Sequence, residues 1–94
     1  MTGQITFTQY LLPDGRQREA YIERPDEVVA KARRIIDAGY AFECERLRNG
    51  MISLTIADHE NGEDVAIELF ADESKVPERV DKMILGFEIP AGRP

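Results

Sequence analysis

The sequence predicts an α+β fold, an antiparallel sheet of about five strands with two helices packed on one face, in the order ββαβββα. Three observations carry this expectation. Two segments that contain an early proline show the apolar spacing of amphipathic helices. Five segments rich in β-branched and aromatic residues are separated by Pro-Asp-Gly and Asn-Gly turn signals. The length of 94 residues, 43% of them hydrophobic and 32% charged, suffices for one modest core, so residues 1–94 are expected to form a single domain.

The first element is an N-terminal hairpin over residues 4–23. "QITFTQYL" (4–11) and "REAYIE" (18–23) flank "LPDGR". Pro13 suits the second position of a type I turn, and Gly15 can take the left-handed conformation that follows it. A four-residue loop, Pro13 to Arg16, would pair Phe7 with Ile22 on one face.

A helix follows over 25–38. Pro25 fits the first helical position, Asp26 and Glu27 suit the positive end of the helix dipole, and Gly39 fits just past the C-terminus. Val28, Val29, Ala32, Ile35 and Ile36 form one apolar stripe, while Lys31, Arg33 and Arg34 occupy the other face.

The meander over 40–70 holds "YAFECERL", "MISLTIAD" and "DVAIELF", separated by two Asn-Gly pairs. For the second pair, a type I′ turn at Asn61-Gly62 sets Ile56 against Ile67 and Leu54 against Leu69 on one face. Thr55 then meets Glu68, and Ala57 meets Ala66, on the other. The same two-residue turn at Asn49-Gly50 would mix the faces. A three-residue loop, Arg48-Asn49-Gly50, instead pairs Phe42 with Ile56 and Cys44 with Leu54, and is therefore preferred.

The last helix, 75–86, takes its start from Pro77 and its apolar stripe from Val76, Val80, Met83, Ile84 and Phe87. Residues 88–94 read as a frayed tail.

Charge narrows the function classes. The net charge is −6, and all of the excess lies in the second half, where residues 51–94 carry four Lys/Arg and ten Asp/Glu. Binding of nucleic acid by phosphate neutralisation needs the opposite bias. A protein partner with a basic surface is the natural complement. No apolar run approaches the ~20 residues that cross a bilayer, and no signal peptide is evident. The single cysteine, Cys44, rules out an internal disulfide. Cytoplasmic location without membrane contact is expected.

Catalytic motifs are missing: no GxxxxGK[ST], GxGxxG, HExxH, GxSxG or CxxC occurs. One His and one Cys cannot assemble a Cys/His zinc site within one chain. Ser53 lies roughly 20 Å down the strand from His59, too far for a triad. The stretch "ADHENGED" (57–64) concentrates the only histidine with four carboxylates, but an EF-hand reading puts Ala57 and His59 where Asp or Asn ligands are needed. It reads as a hairpin turn that sets His59 against Asp64. No catalytic residue, cofactor or metal is expected.

The predicted registers place Glu43, Thr55 and Glu68 in one row, and Glu45, Ser53 and Phe70 in the next, on the sheet face turned away from the helices. Glu43, Glu45, Thr55, Glu68 and Phe70 are therefore the candidate protein-binding residues: small, acidic and flat, with one aromatic ring.

Two resemblances complete the reading. Residues 25–85, as α-β-β-β-α, resemble double-stranded-RNA-binding domains in topology, and Lys75, Arg79 and Lys82 have roughly the spacing of their phosphate-contacting lysines. Asp72, Glu73, Glu78 and Asp81 are interleaved with them and cancel the charge. "ITFTQYLLPDGR", "IIDAGYAFECE" and "SLTIAD" resemble short uncharacterised α+β proteins of phage and mobile-element type. That likeness covers residues 5 to about 85 and implies no catalytic residue. The expected function is a small acidic non-enzymatic protein-interaction module, such as a phage-type inhibitor binding a basic surface of a host protein. The alternatives are a structural or assembly subunit acting as a homodimer and, last, an enzyme.

Overall fold

A computed structural model describes residues 2–9 and 18–90. Their elements are β1 (Thr2–Gln9), β2 (Arg18–Pro25), α1 (Asp26–Asp37), β3 (Tyr40–Arg46), β4 (Ile52–Asp58), β5 (Asp64–Phe70), a 3₁₀ turn (Glu73–Lys75) and α2 (Val76–Gly86). The strands form one sheet in the order β2-β1-β3-β4-β5, with β2 and β5 at its edges. This is the expected α+β fold with two helices.

One junction differs from the expected antiparallel pattern. β1 and β3 run parallel and, among the described residues, pair only at Thr8–Glu43 and Gln9–Cys44. The sheet is therefore mixed. The cause is the crossover through α1: β2 ends beside the start of β1, at Thr2–Pro25, and α1 carries the chain over β1 before β3 begins. β3 consequently sets out from near the end of the sheet where β1 began.

α1 ends as its sequence predicts but starts one residue later, since the extended ψ of Pro25 keeps it in β2 and out of the first helical position. Pro25 stands at the N-cap with φ −54° and ψ 148°, and Asp26 and Glu27 occupy the first turn. Gly39 follows the last turn at φ 98°, where its N–H donates to the Ile36 carbonyl at 3.0 Å. Val28, Val29, Ala32 and Ile35 are buried, whereas Ile36, expected in the stripe, is half exposed at its margin. In α2, Val80 and Ile84 are fully buried. The Arg24 guanidinium donates through Nε and Nη2 to the two oxygens of Asp81, Nε to Oδ1 at 2.6 Å, which ties α2 to β2. Beneath the helices Phe7 and Phe42 meet at 5.8 Å between ring centres, among Ile5, Leu54 and Ile56. The chain after α2 stays on the core as far as Ile89: Phe87 packs edge-on against Tyr40 at 5.3 Å, and Ile89 is half-buried. Residues 91–94 of the expected tail lie outside the described residues.

The strand registers show how far turn chemistry decides a sheet. The β3–β4 hairpin forms as expected, with Phe42 opposite Ile56 and Cys44 opposite Leu54. Leu47 N–H donates to the Met51 carbonyl at 2.8 Å, leaving Arg48, Asn49 and Gly50 as the loop, with Gly50 at φ 84°. The β1–β2 register is two residues away from expectation, pairing Ile5 with Ile22 and Phe7 with Ala20. A two-residue slide keeps every side chain on its face. The loop proposed for it, Pro13 to Arg16, falls outside the described residues.

The β4–β5 hairpin departs further. A type I′ turn needs φ above zero at both central residues, and among the described residues only glycines adopt it. Asn61 therefore cannot supply one. The connection is a four-residue loop, 59–62, closed by Asp58 N–H on the Glu63 carbonyl at 2.7 Å. The Asp58 carboxylate accepts the Glu60 N–H at 2.9 Å, and the Asn61 side-chain oxygen accepts the Glu63 N–H at 3.1 Å. This loop alone would have preserved the predicted faces, because Ala57–Asp64 has the same parity as Ala57–Ala66. A bulge at Val65 then inserts one residue, and Ile56 pairs with Ala66, Thr55 with Ile67 and Leu54 with Glu68. Every later side chain of β5 is thereby turned to the opposite face.

Among the described residues, no helix is long and apolar enough to cross a membrane.

Candidate functional site

Three of the five candidate residues remain on the open face, and two do not. Glu43, Glu45 and Thr55 point away from the helices, with Glu43 half-buried and Glu45 exposed. Phe70 is 7% exposed, buried opposite Ile52 under the Arg79 guanidinium, which lies 5.9 Å from its ring centre. Glu68 is on the same helix-covered face and accepts from Arg79 Nη1 at 2.8 Å. The acidic row Glu43–Thr55–Glu68 is therefore not assembled. Nor is the aromatic end of the row Glu45–Ser53–Phe70.

What the bulge puts in their place is apolar. Val65, Ile67 and Leu69 are 45%, 57% and 56% exposed on the open side of β5. The rows that run across the sheet are Glu19–Thr8–Glu43–Thr55–Ile67 and Glu45–Ser53–Leu69. Thr55, only 6% exposed, is walled in by its row, and its hydroxyl lies 3.3 Å from that of Ser53. The open face thus grades from carboxylates on β2 and β3, through hydroxyls on β4, to three aliphatic side chains on the edge strand β5.

Scattered exposed aliphatic residues are normal and need no account. Three in succession on one face of an edge strand are different, because natural edges are commonly blunted by charge or proline. β2, the other edge, fits that rule. It presents Glu19 and Glu23 around Tyr21 on the open face and ends at Pro25. β5 has no charged residue on the open face between Val65 and Leu69.

"ADHENGED" is a structural loop. Asp58 is buried and orders the turn through Glu60, while His59 is exposed and its backbone N–H donates to the Gly39 carbonyl at 2.8 Å. Ala57, not His59, faces Asp64. His59 also stands at the rim of a notch of about 370 Å³ where β1 and β3 diverge, lined by Thr6, Thr8, Ile36, Tyr40 and Ala41. Two residues of parallel pairing leave that end of the strands apart, which explains the opening. Among the described residues, no group of three or more His, Cys, Asp or Glu side chains is placed to hold a metal ion.

Cys44 is buried against Leu54, and burial pushes its thiol above the ordinary range. Glu73 reinforces that shift and Arg46 opposes it. A reactive thiolate is disfavoured there. No family model matches the chain, and neither a curated protein nor a solved structure matches it.

Sequence reasoning missed the stripe because it assigned Ile67 and Leu69 to the core. A signal was present: "DVAIELF" has a bulky residue at both parities, with Phe70 competing against Ile67 and Leu69. Burial of either set satisfies alternation.

Proposed function

We propose that this chain is a small non-enzymatic protein-interaction module that engages another protein through its open sheet face. The apolar stripe of β5 supplies the contact, and Glu43 and Glu45, two strands away, favour a partner that carries basic residues beside an apolar strip. An inhibitor capping a basic surface of a host protein would work in this way. The observation that carries the reading is the outward placement of Val65, Ile67 and Leu69 on an edge strand. Contiguous apolar surface of this kind marks contact sites more often than solvated faces.

The test is retention of proteins from a lysate of the native host on immobilised chain. The wild type is expected to retain a partner that Ile67→Asp loses. Glu43→Lys with Glu45→Lys is expected to weaken retention most at low salt, where exposed charges are least screened. Equal retention by wild type and Ile67→Asp would overturn the reading. A second reading, an assembly subunit working as a homodimer, is favoured by the unguarded β5 edge itself.

A further inference from the structure

We propose that β5 pairs edge to edge with β5 of a second copy of this chain, antiparallel about Ile67, joining two sheets into one of ten strands. This rests on the homodimer reading of the same strand and fixes its register. The sequence of β5 is self-complementary in one register. Centred on Ile67, Ile67 meets Ile67 of the second copy, Ala66 meets Glu68 and Val65 lies beside Leu69, while Asp64, on the open face with Ala57 before the bulge, falls at the end of the seam beside Phe70. The middle of the seam then carries aliphatic pairs on the open face, and no carboxylate faces another.

The neighbouring symmetric registers that keep the faces aligned are worse. A centre at Glu68 sets two Glu68 side chains against each other, and a centre at Ala66 brings the bulge at Val65 opposite Ile67 and leaves Leu69 and Phe70 without a strand partner; both also shorten the overlap to five residues. Directly opposed like charges destabilise a strand pair. The bulge at Val65 lies at the N-terminal end of β5 and leaves Ala66–Phe70 regularly paired to β4, so the centre of the register falls on undistorted strand.

Charge also disfavours the other symmetric arrangement. Stacking two open faces in full overlap would enclose Glu19, Glu23, Glu43 and Glu45 of both copies in one layer shielded from water. Edge pairing keeps these carboxylates on separate wings of the joined sheet. Among the described residues, the chain leaving β5 does not cover the edge. It turns inward, as the Glu73–Arg46 pair at 2.8 Å shows, and Glu68 is already engaged by Arg79. A foreign basic strand would therefore find no free carboxylate in the middle of β5, whereas a second copy supplies the matching aliphatic row.

The experiment uses the purified full chain. Light scattering with size exclusion across a concentration series is expected to rise to about twice the 10.7 kDa chain mass. Ile67→Lys is expected to remain a monomer with an unchanged far-ultraviolet spectrum. Register is read by oxidative cross-linking. Opposed residues sit about 4.5–5.5 Å apart, within disulfide reach, so Ile67→Cys is expected to form a covalent dimer. Val65→Cys alone should not, because the two copies of residue 65 lie roughly 13 Å apart in this register. Buried Cys44 does not compete. A wild type that stays monomeric at the highest soluble concentration would overturn the pairing, as would cross-linking by Val65→Cys and not by Ile67→Cys. A monomer that still retains a lysate protein in an Ile67-dependent way overturns the second copy as partner and leaves the interaction reading standing.

Discussion

Replacing Phe70 and Leu69 by alanine, one at a time, separates the two faces of β5 by their energetics. Phe70 is 7% exposed and Leu69 56% exposed, although alternation with Leu54 would have buried Leu69 instead. Truncating a buried Phe to Ala costs ~3–5 kcal/mol, through lost transfer free energy and the cavity left behind. Phe70 closes the core at the end of the sheet, beside the partly exposed Arg79, so the lower end applies, about 3 kcal/mol. That is a large share of the roughly 5–14 kcal/mol expected for a 94-residue domain. At a urea dependence of about 1–1.5 kcal/mol per molar, the unfolding midpoint of Phe70→Ala should fall by roughly 2–3 M. Leu69→Ala, more than half exposed, should stay within about 0.5 kcal/mol of the wild type. Urea unfolding followed by circular dichroism at low protein concentration, where association contributes least, reads both values. The converse pattern, a loss of about 2 kcal/mol or more for Leu69→Ala with Phe70→Ala nearly silent, would refute the register and everything built on the outward stripe.

Two further outcomes concern titrating groups. Burial raises the Cys44 thiol, with Glu73 assisting, so the unfolded chain ionises first as pH rises. Stability should therefore fall above the ordinary thiol range of about 8.5, and the difference from Cys44→Ala in urea midpoints at neutral and alkaline pH isolates this contribution. The same burial predicts slow reaction with a thiol reagent until the protein unfolds. Asp72 is held below the usual carboxylate range by the Ser74 hydroxyl at 2.7 Å and the Ser74 backbone N–H at 3.0 Å. Its contribution to stability is present above the unfolded carboxylate range and is lost as pH falls through the depressed value. Ser74→Ala should move the Asp72 titration upward, as read by NMR of the carboxyl carbon, and an unmoved midpoint would count against the hydroxyl as its principal cause.

Local chemistry made much of this fold legible. Pro25, Asp26 and Glu27 start α1 and Gly39 ends it, because each satisfies a need of a helix terminus that does not depend on the rest of the chain. The β3–β4 hairpin was equally readable, since Phe42, Cys44, Leu54 and Ile56 permit only one register that keeps them together. Two things were not local. The parallel β1–β3 contact depends on where α1 sets the chain down after crossing the sheet. The direction of β5 depends on a bulge that no dipeptide announces, and on contacts made from α2 by Arg79 with Glu68 and with the Phe70 ring. Asn61-Gly62 read as a two-residue turn on propensity, but the Asp58 and Asn61 side chains stabilise a four-residue loop. The bulge, not the loop, displaced the candidate surface by one residue: Glu43, Glu45 and Thr55 were placed correctly, while Glu68 and Phe70 exchanged places with Ile67 and Leu69.

Whether β5 turns its aliphatic side chains outward is open to direct observation by cross-strand nuclear Overhauser contacts in isotopically labelled protein. The structure predicts backbone contacts between Leu54 and Glu68 and between Thr55 and Ile67, with Phe70 ring protons close to Ile52. Side-chain methyl contacts joining Leu54 to Leu69 and Ile56 to Ile67 would contradict it, because they would return the stripe to the core and turn Glu68 and Phe70 outward in its place.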